Sequence, residues 1–237
     1  MRIIYLSSAA VYGNVTGKNG RGVTEKSPID LAQDKNYLLS KALGENLVKI
    51  YQKKHPSRLI TIVRPTGIIG GPGFTLDMFA RMIFHWCAFL PRGGKDKMSL
   101  VDTRDVASAL EFLMDFERGN GEVFNLVSFT PTLREVVQEL GQILQNKQIS
   151  IISVPLFLFK PLYYISRIVR KIKKPQEKSM LLPVLFDKLG QDVWVDHSKI
   201  QSLGFQPSVS LDESMKTFGD FLSRNPWYLE EKLGLAL

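Results

Sequence analysis

Two short β-branched runs, Arg2 to Leu6 and Leu59 to Val63, flank a stretch, Tyr37 to Gln52, whose apolar residues Leu39, Leu43, Leu47 and Ile50 recur at near-helical spacing. This order of strand, loop, helix and strand predicts parallel neighbours in an α/β sheet, because a parallel pair needs a crossover of helix length. The pattern then repeats: Thr103 to Phe116 reads as a helix and Glu122 to Val127 as a strand. Thr132 to Leu144 reads as a helix opened by a capping box at Thr132 and Glu135. Beyond Lys147 the chain changes to Pro-punctuated apolar and basic segments and closes on a helix from Leu211 to Leu222.

At 237 residues and 44% hydrophobic composition, the chain can bury a sizeable core. Its formal charge of +8 suits an anionic partner such as a nucleotide, a phosphorylated substrate or an acidic membrane surface. Nucleic acid is the weaker reading, since much of the excess sits around Lys171, Lys173 and Lys174 with no nucleic-acid motif about them. The single cysteine, Cys87, cannot close an internal disulfide, and no Cys/His cluster has metal-ligand spacing, so no metal is predicted. A reducing, cytoplasmic setting is the simplest expectation. The apolar run at the N-terminus is too short for a signal peptide, and the apolar stretch Val154 to Ile165 is broken by Lys160 and Pro161 before it could span a bilayer.

Tyr37-Leu-Leu-Ser-Lys41 sets a phenol and an ammonium one helical turn apart on one face. A cation near a phenol stabilises its phenolate and brings it toward the range of a general base. Alone, this spacing more often marks a surface pair without a role. Company in the same order changes that: Ser7-Ser8-Ala-Ala-Val11-Tyr12-Gly13 follows the first strand, and Glu25 and Pro28 lead toward the tyrosine. Arg64-Pro65 closes the next strand, Gly70 to Gly73 form a Pro-Gly turn, and Val101-Asp-x-Arg-Asp105-Val-Ala107 comes after it. Gly121-Glu-Val-Phe-Asn125-Leu and Asp196-x-Ser-Lys199-Ile-x-x-Leu203-Gly204-Phe205-x-Pro207 complete the series.

In these motifs the chain resembles the NAD(P)-dependent epimerase/dehydratase proteins, the extended short-chain dehydrogenase/reductases, from about Arg2 to Phe221. The resemblance implies part of a Rossmann-like parallel sheet with a smaller, discontinuous substrate-binding lobe. Residues 1–147 would form the cofactor side, with 66–100 contributing to the substrate lobe, and 148–237 would be mainly substrate lobe. It implies that Ser8 hydrogen-bonds the reacting hydroxyl or keto oxygen, that Tyr37 moves its proton, and that Lys41 holds the nicotinamide ribose of NAD or NADP. Pro65 and Thr66 would lie beside the nicotinamide. Ser8 is preferred to Ser7 because it stands three residues before Val11; Ser7 would make a strand-end backbone hydrogen bond. Asp102 and Asp105 are expected to cap the helix after them rather than to touch substrate.

Thr66-Gly67-Ile-Ile-Gly70-Gly-Pro-Gly73 imitates a phosphate loop, but Pro72 removes an N–H that such a loop would point at pyrophosphate, and no acidic strand end follows about 20 residues on. These residues thus lack the family's glycine loop and the strands before the Ser-Ser strand, and the expectation is either a fragment whose start lies further upstream or a shortened relative that borrows or has lost cofactor binding. The edge of Arg2 to Leu6 would then be open, and the chain alone is expected to bind NAD(H) or NADP(H) weakly. A nucleotide-sugar is the expected substrate. Met98 stands where many sugar-nucleotide epimerases carry a pyrophosphate-binding arginine, which keeps open a hydroxysteroid- or dihydroflavonol-type dehydrogenase, as well as a non-catalytic, binding or membrane-associated remnant. Phe74, Met78, Phe79, Met82 and Trp86, at helical spacing, are read as core before pocket. The stripe Leu162, Ile165, Val169 and Ile172 beside Arg167, Arg170, Lys171, Lys173 and Lys174 is read first as packing, with peripheral membrane contact through 160–174 as the alternative. A homo-oligomer is compatible with all of this.

Overall fold

The computed structural model describes residues 3–13, 22–30, 36–58, 60–84, 86–115, 121–158, 161 and 194–233. The basic stripe from Leu162 to Lys174 lies outside them. The expected parallel sheet is present. Strand β1 (Ile3–Leu6) pairs with β2 (Ile60–Pro65), which pairs in turn with β7 (Val123–Leu126), all parallel. Helix α1 (Asn36–Lys54) is the crossover between β1 and β2. Side chains alternate along β2. Arg64 meets Glu45 of α1, whereas Val63 packs with Val106, Ala109 and Leu113 of α3 (Thr103–Asp115). The two helices therefore cover opposite faces of the sheet.

The apolar stripe expected to bury α1 does not do so. Leu43, Leu47 and Ile50 are exposed, Leu47 by 66%, while Leu38, Ala42 and Glu45 make the buried face. Spacing shows which residues share a face; it does not show which face a neighbour covers.

Short strands that the sequence hid complete the structure. β3 (Gly67–Ile69) pairs in parallel with β6 (Leu100–Asp102). β4 (Ile83–Phe84) and β5 (Cys87–Pro91) form an antiparallel hairpin, and β5 pairs in parallel with β8 (Ser150–Val154). Helix α2 (Phe74–Ala80) ends before this hairpin, so the expected helical stripe breaks there: Met78 and Phe79 are core, Met82 lies in a turn, and Phe74 and Trp86 are exposed. A second apolar cluster joins α2, β5, α4 (Leu133–Gln145) and α6 (Leu211–Arg224) through Leu76, Leu90, Leu140 and Phe218. Ile200, in the short helix α5 (Ser198–Ser202), packs with the first sheet.

Helix α4 opens on the capping box read from the sequence: Thr132 Oγ1 accepts from the Glu135 N–H at 3.2 Å, and Glu135 accepts from the Thr132 N–H at 2.7 Å. The same device at Ser210 and Glu213 opens α6. Asp102 caps as expected, accepting from the Arg104 N–H at 2.8 Å. Asp105 does not. Its carboxylate accepts from Ser128 Oγ at 2.5 Å and the Ser208 N–H at 2.9 Å, tying α3 to two later loops. Cys87 is buried and free. Among the described residues no helix is long and apolar enough to cross a membrane, and no cluster of three potential metal ligands occurs.

Candidate active site

Register sets the site. Leu6 is opposite Val63, and Pro65 is opposite Leu126, so β1, β2 and β7 deliver Ser7-Ser8, Thr66 and Val127 to one edge of the sheet, at the strands' carboxyl ends. Open α/β sheets bind their ligands at this edge. Ser8 stands at the head of a 3-10 turn, Ala9–Tyr12, where its Oγ accepts from the Ala10 N–H at 3.2 Å. That bond uses one lone pair and leaves the hydroxyl proton to donate elsewhere. Helix α1 packs against this turn. Tyr37 lies in its first turn and is 60% exposed. One turn on, Lys41 Nζ donates to the Leu6 carbonyl at 3.0 Å and sits 5.9 Å from the centre of the Tyr5 ring. The ammonium is thus pinned to the end of β1. Thr66 is fastened to the end of β7, its N–H donating to the Leu126 carbonyl at 3.1 Å.

Tyr5 is a neighbour that the sequence reading missed. Its hydroxyl lies against Gly44, where a Cβ would overlap it, so glycine is required for this close approach. Burial, then the Glu45 carboxylate and Tyr37, push the Tyr5 phenol above its ordinary value.

Beneath the site runs a buried polar network, also missed. Arg64 Nε and Nη2 donate to the two Glu45 oxygens at 2.8 and 2.5 Å. Ser7 Oγ donates to the same carboxylate at 2.6 Å, and Arg64 Nη1 donates to Tyr12 Oη at 2.8 Å. The Tyr12 hydroxyl donates to Asn125 Oδ1 at 2.6 Å, and Asn125 Nδ2 donates to the Asp196 carbonyl at 2.9 Å. Glu25 accepts from the Asn125 N–H at 2.8 Å. Burial alone would lower the Arg64 pKa, but Glu45 and Tyr12 outweigh it and hold the guanidinium above its ordinary value. Burial raises the Tyr12 phenol against the pull of Arg64, so it remains a neutral donor. Ser7, expected to make a backbone bond, does so to the Val63 carbonyl and adds the side-chain bond to Glu45. A single lysine-spaced glutamate in α1 was the available signal for Glu45, and it resembles any surface i,i+4 pair.

The glycine-rich segment behaves unlike a phosphate loop. Gly67–Ile69 is strand β3, Gly70 has φ +98°, and the Asp102 carboxylate fills the space a Cβ there would need. That carboxylate also accepts from the Arg104 guanidinium, at 2.9 and 3.0 Å. Met98 packs against the second apolar cluster.

The model of the NAD dependent epimerase/dehydratase family matches residues 1–126, just over half of the chain. The chain belongs to the NAD-dependent epimerase/dehydratase family. Among curated relatives of this epimerase/dehydratase chain is the uncharacterized protein YbjS of Escherichia coli K12, 28% identical over 186 residues, 75% of this chain and 54% of that protein. UDP-glucuronic acid 4-epimerase from Bacillus cereus, solved with NAD, superposes with a TM-score of 0.66 at 16% identity over 94% of this chain and 61% of that one. The Pseudomonas aeruginosa protein RMD, solved with NADPH, gives 0.64 at 18% identity over 93% and 66%. The chain therefore spans about half the length of the curated relative and 61% and 66% of these two solved chains. At such identities the superposition shows the shared fold.

Proposed function

We propose that this epimerase/dehydratase chain carries the proton-transfer half of an NAD(P)-dependent oxidoreductase site acting on a hydroxyl or keto carbon of a nucleotide-sugar. The observation that carries this reading is the fastening of Lys41 to the carboxyl end of β1, directly before Ser7-Ser8, with the Tyr37 turn of the same helix exposed to a ligand. These residues fit the reacting end of a dinucleotide: Lys41 would hold the ribose, with Pro65 and Thr66 beside the nicotinamide. When bound, the nicotinamide supplies hydride transfer at the substrate carbon. Ser8 donates its free hydroxyl proton to the substrate oxygen, and Tyr37 Oη takes or returns that oxygen's proton. The second apolar cluster, with much of 66–100, helix α4 and helix α6, is assigned to the substrate lobe because its core is separate from that of the first sheet, which takes in Ile200 and Phe205.

The packing of Met98 into that core supports a second reading. This position offers no cation to a pyrophosphate, so an apolar hydroxysteroid- or flavonol-type substrate is the alternative. The test is turnover of UDP- and dTDP-sugars against apolar alcohols with added NAD or NADP. Tyr37→Phe should lower turnover by about 100-fold or more and leave cofactor affinity unchanged. A Tyr37→Phe protein as active as the parent would overturn the assignment. Cofactor binding by these 237 residues alone should be weaker than micromolar, or about 8 kcal/mol, since the proposed contacts reach only the nicotinamide end.

A further inference from the structure

The sheet β4-β5-β8 buries one face and leaves the middle of the other exposed, between the buried Cys87 and Pro91. Ile83, Ala88 and Leu90 point into the second core. On the opposite side, Phe89 and Ile152 are register partners across β5 and β8, and both are exposed. The Phe84 ring stands 6.3 Å from that of Phe89, edge to face. Trp86, in the hairpin turn, is 65% exposed, and beyond β8 Phe157 is 75% exposed. Phe84, Phe89 and Ile152, with Trp86 in the adjoining turn, make an apolar patch of the kind that marks an interaction surface.

Charge is segregated in the same part of the chain. Residues 78–95, which contain β4 and β5, and 140–176, which contain β8 and continue past it, hold ten of the 31 Lys and Arg and none of the 23 Asp and Glu. The whole excess of +8 resides in these two stretches, and the rest of the chain is close to neutral. Lys95, past the end of β5, and Lys147, before the start of β8, are exposed at opposite ends of the sheet. A second copy of this chain would bring like charges together across the patch. An anionic membrane surface instead receives aromatic rings at its interfacial zone and cations at its headgroups. We propose that the outer face of β4-β5-β8 docks the protein on an anionic lipid bilayer, with Trp86, Phe84 and Phe89 entering the interfacial zone.

Trp194→Phe with Trp227→Phe leaves Trp86 as the only tryptophan of three. Its emission should shift to the blue and be quenched by brominated lipid in phosphatidylcholine vesicles containing phosphatidylglycerol. Co-sedimentation of the parent chain should be about tenfold or more stronger with these vesicles than with phosphatidylcholine alone. Trp86→Ser with Phe89→Ser, both at exposed positions, should lower it by about tenfold at unchanged Tm. Equal binding to neutral and anionic vesicles, an unquenched Trp86, or undiminished sedimentation of the double-serine variant would each overturn the proposal. A double-serine variant that halves the mass at sedimentation equilibrium, and binds vesicles as the parent does, would make the face a contact between copies instead.

Discussion

The two cores of this molecule differ in what accompanies their apolar packing. The first sheet buries an apolar cluster against α3, and on its α1 side Ser7, Tyr12, Glu25, Glu45, Arg64 and Asn125 form a buried hydrogen-bonded network that crosses α1, β2 and β7. The second is apolar, from Leu76 through Leu90, Leu140 and Phe218. A polar network tolerates few exchanges, because each member removed leaves a partner buried and unsatisfied. An apolar core accepts others of similar volume. The motifs that identify the family therefore lie largely in the first core, and several of their residues act as scaffold: they hold the end of β1, which Ser8 follows and to which Lys41 of α1 is fastened.

The sharpest way to break this contrast is to cut the Arg64–Glu45 pair. Arg64→Met or Glu45→Gln should each cost about 3–5 kcal/mol, since one buried partner is stranded. Urea unfolding should report the loss, and Arg64→Met with Glu45→Leu together should recover part of it. If the single changes cost no more than a surface pair does, the network is not what holds the first core.

In the second core, Leu140→Ala should cost about 2–4 kcal/mol through the cavity it leaves. Leu140→Met should cost under about 1.5 kcal/mol. Both are read by the same unfolding experiment. A methionine as damaging as the alanine would show that the second core is as exacting as the first.

The smallest effect expected is electrostatic and lies where Asp196 closes the network. Burial holds the His197 pKa below its ordinary 6.5, against the opposing pull of Asp196 and the Val195 backbone. The folded form thus binds the proton less tightly than the unfolded chain. Its contribution is full above pH 6.5 and is lost as pH falls below that value through the folded pKa. Tm measured downward from neutral pH should fall less steeply in His197→Gln than in the parent. Parallel curves would place the acid sensitivity elsewhere.

Local pattern carried much of this protein. The crossover order of β1, α1 and β2 and the capping box of α4 were legible because each depends on residues close together in sequence or on spacing along one element. Strands of two to five residues such as β4, β5 and β8 were not, since so short a run shows no periodicity. Glu45 was also illegible: a glutamate in a lysine-bearing helix normally faces water, and only the arrival of Arg64 from β2 makes its burial favourable. The amino-acid sequence alone determined which residues of α1 lie together, Leu43 and Leu47 on one side, Leu38, Ala42 and Glu45 on another. Which side is buried was decided by the tertiary structure, because burial depends on the sheet that comes to lie against the helix, and helical spacing holds no information about that neighbour.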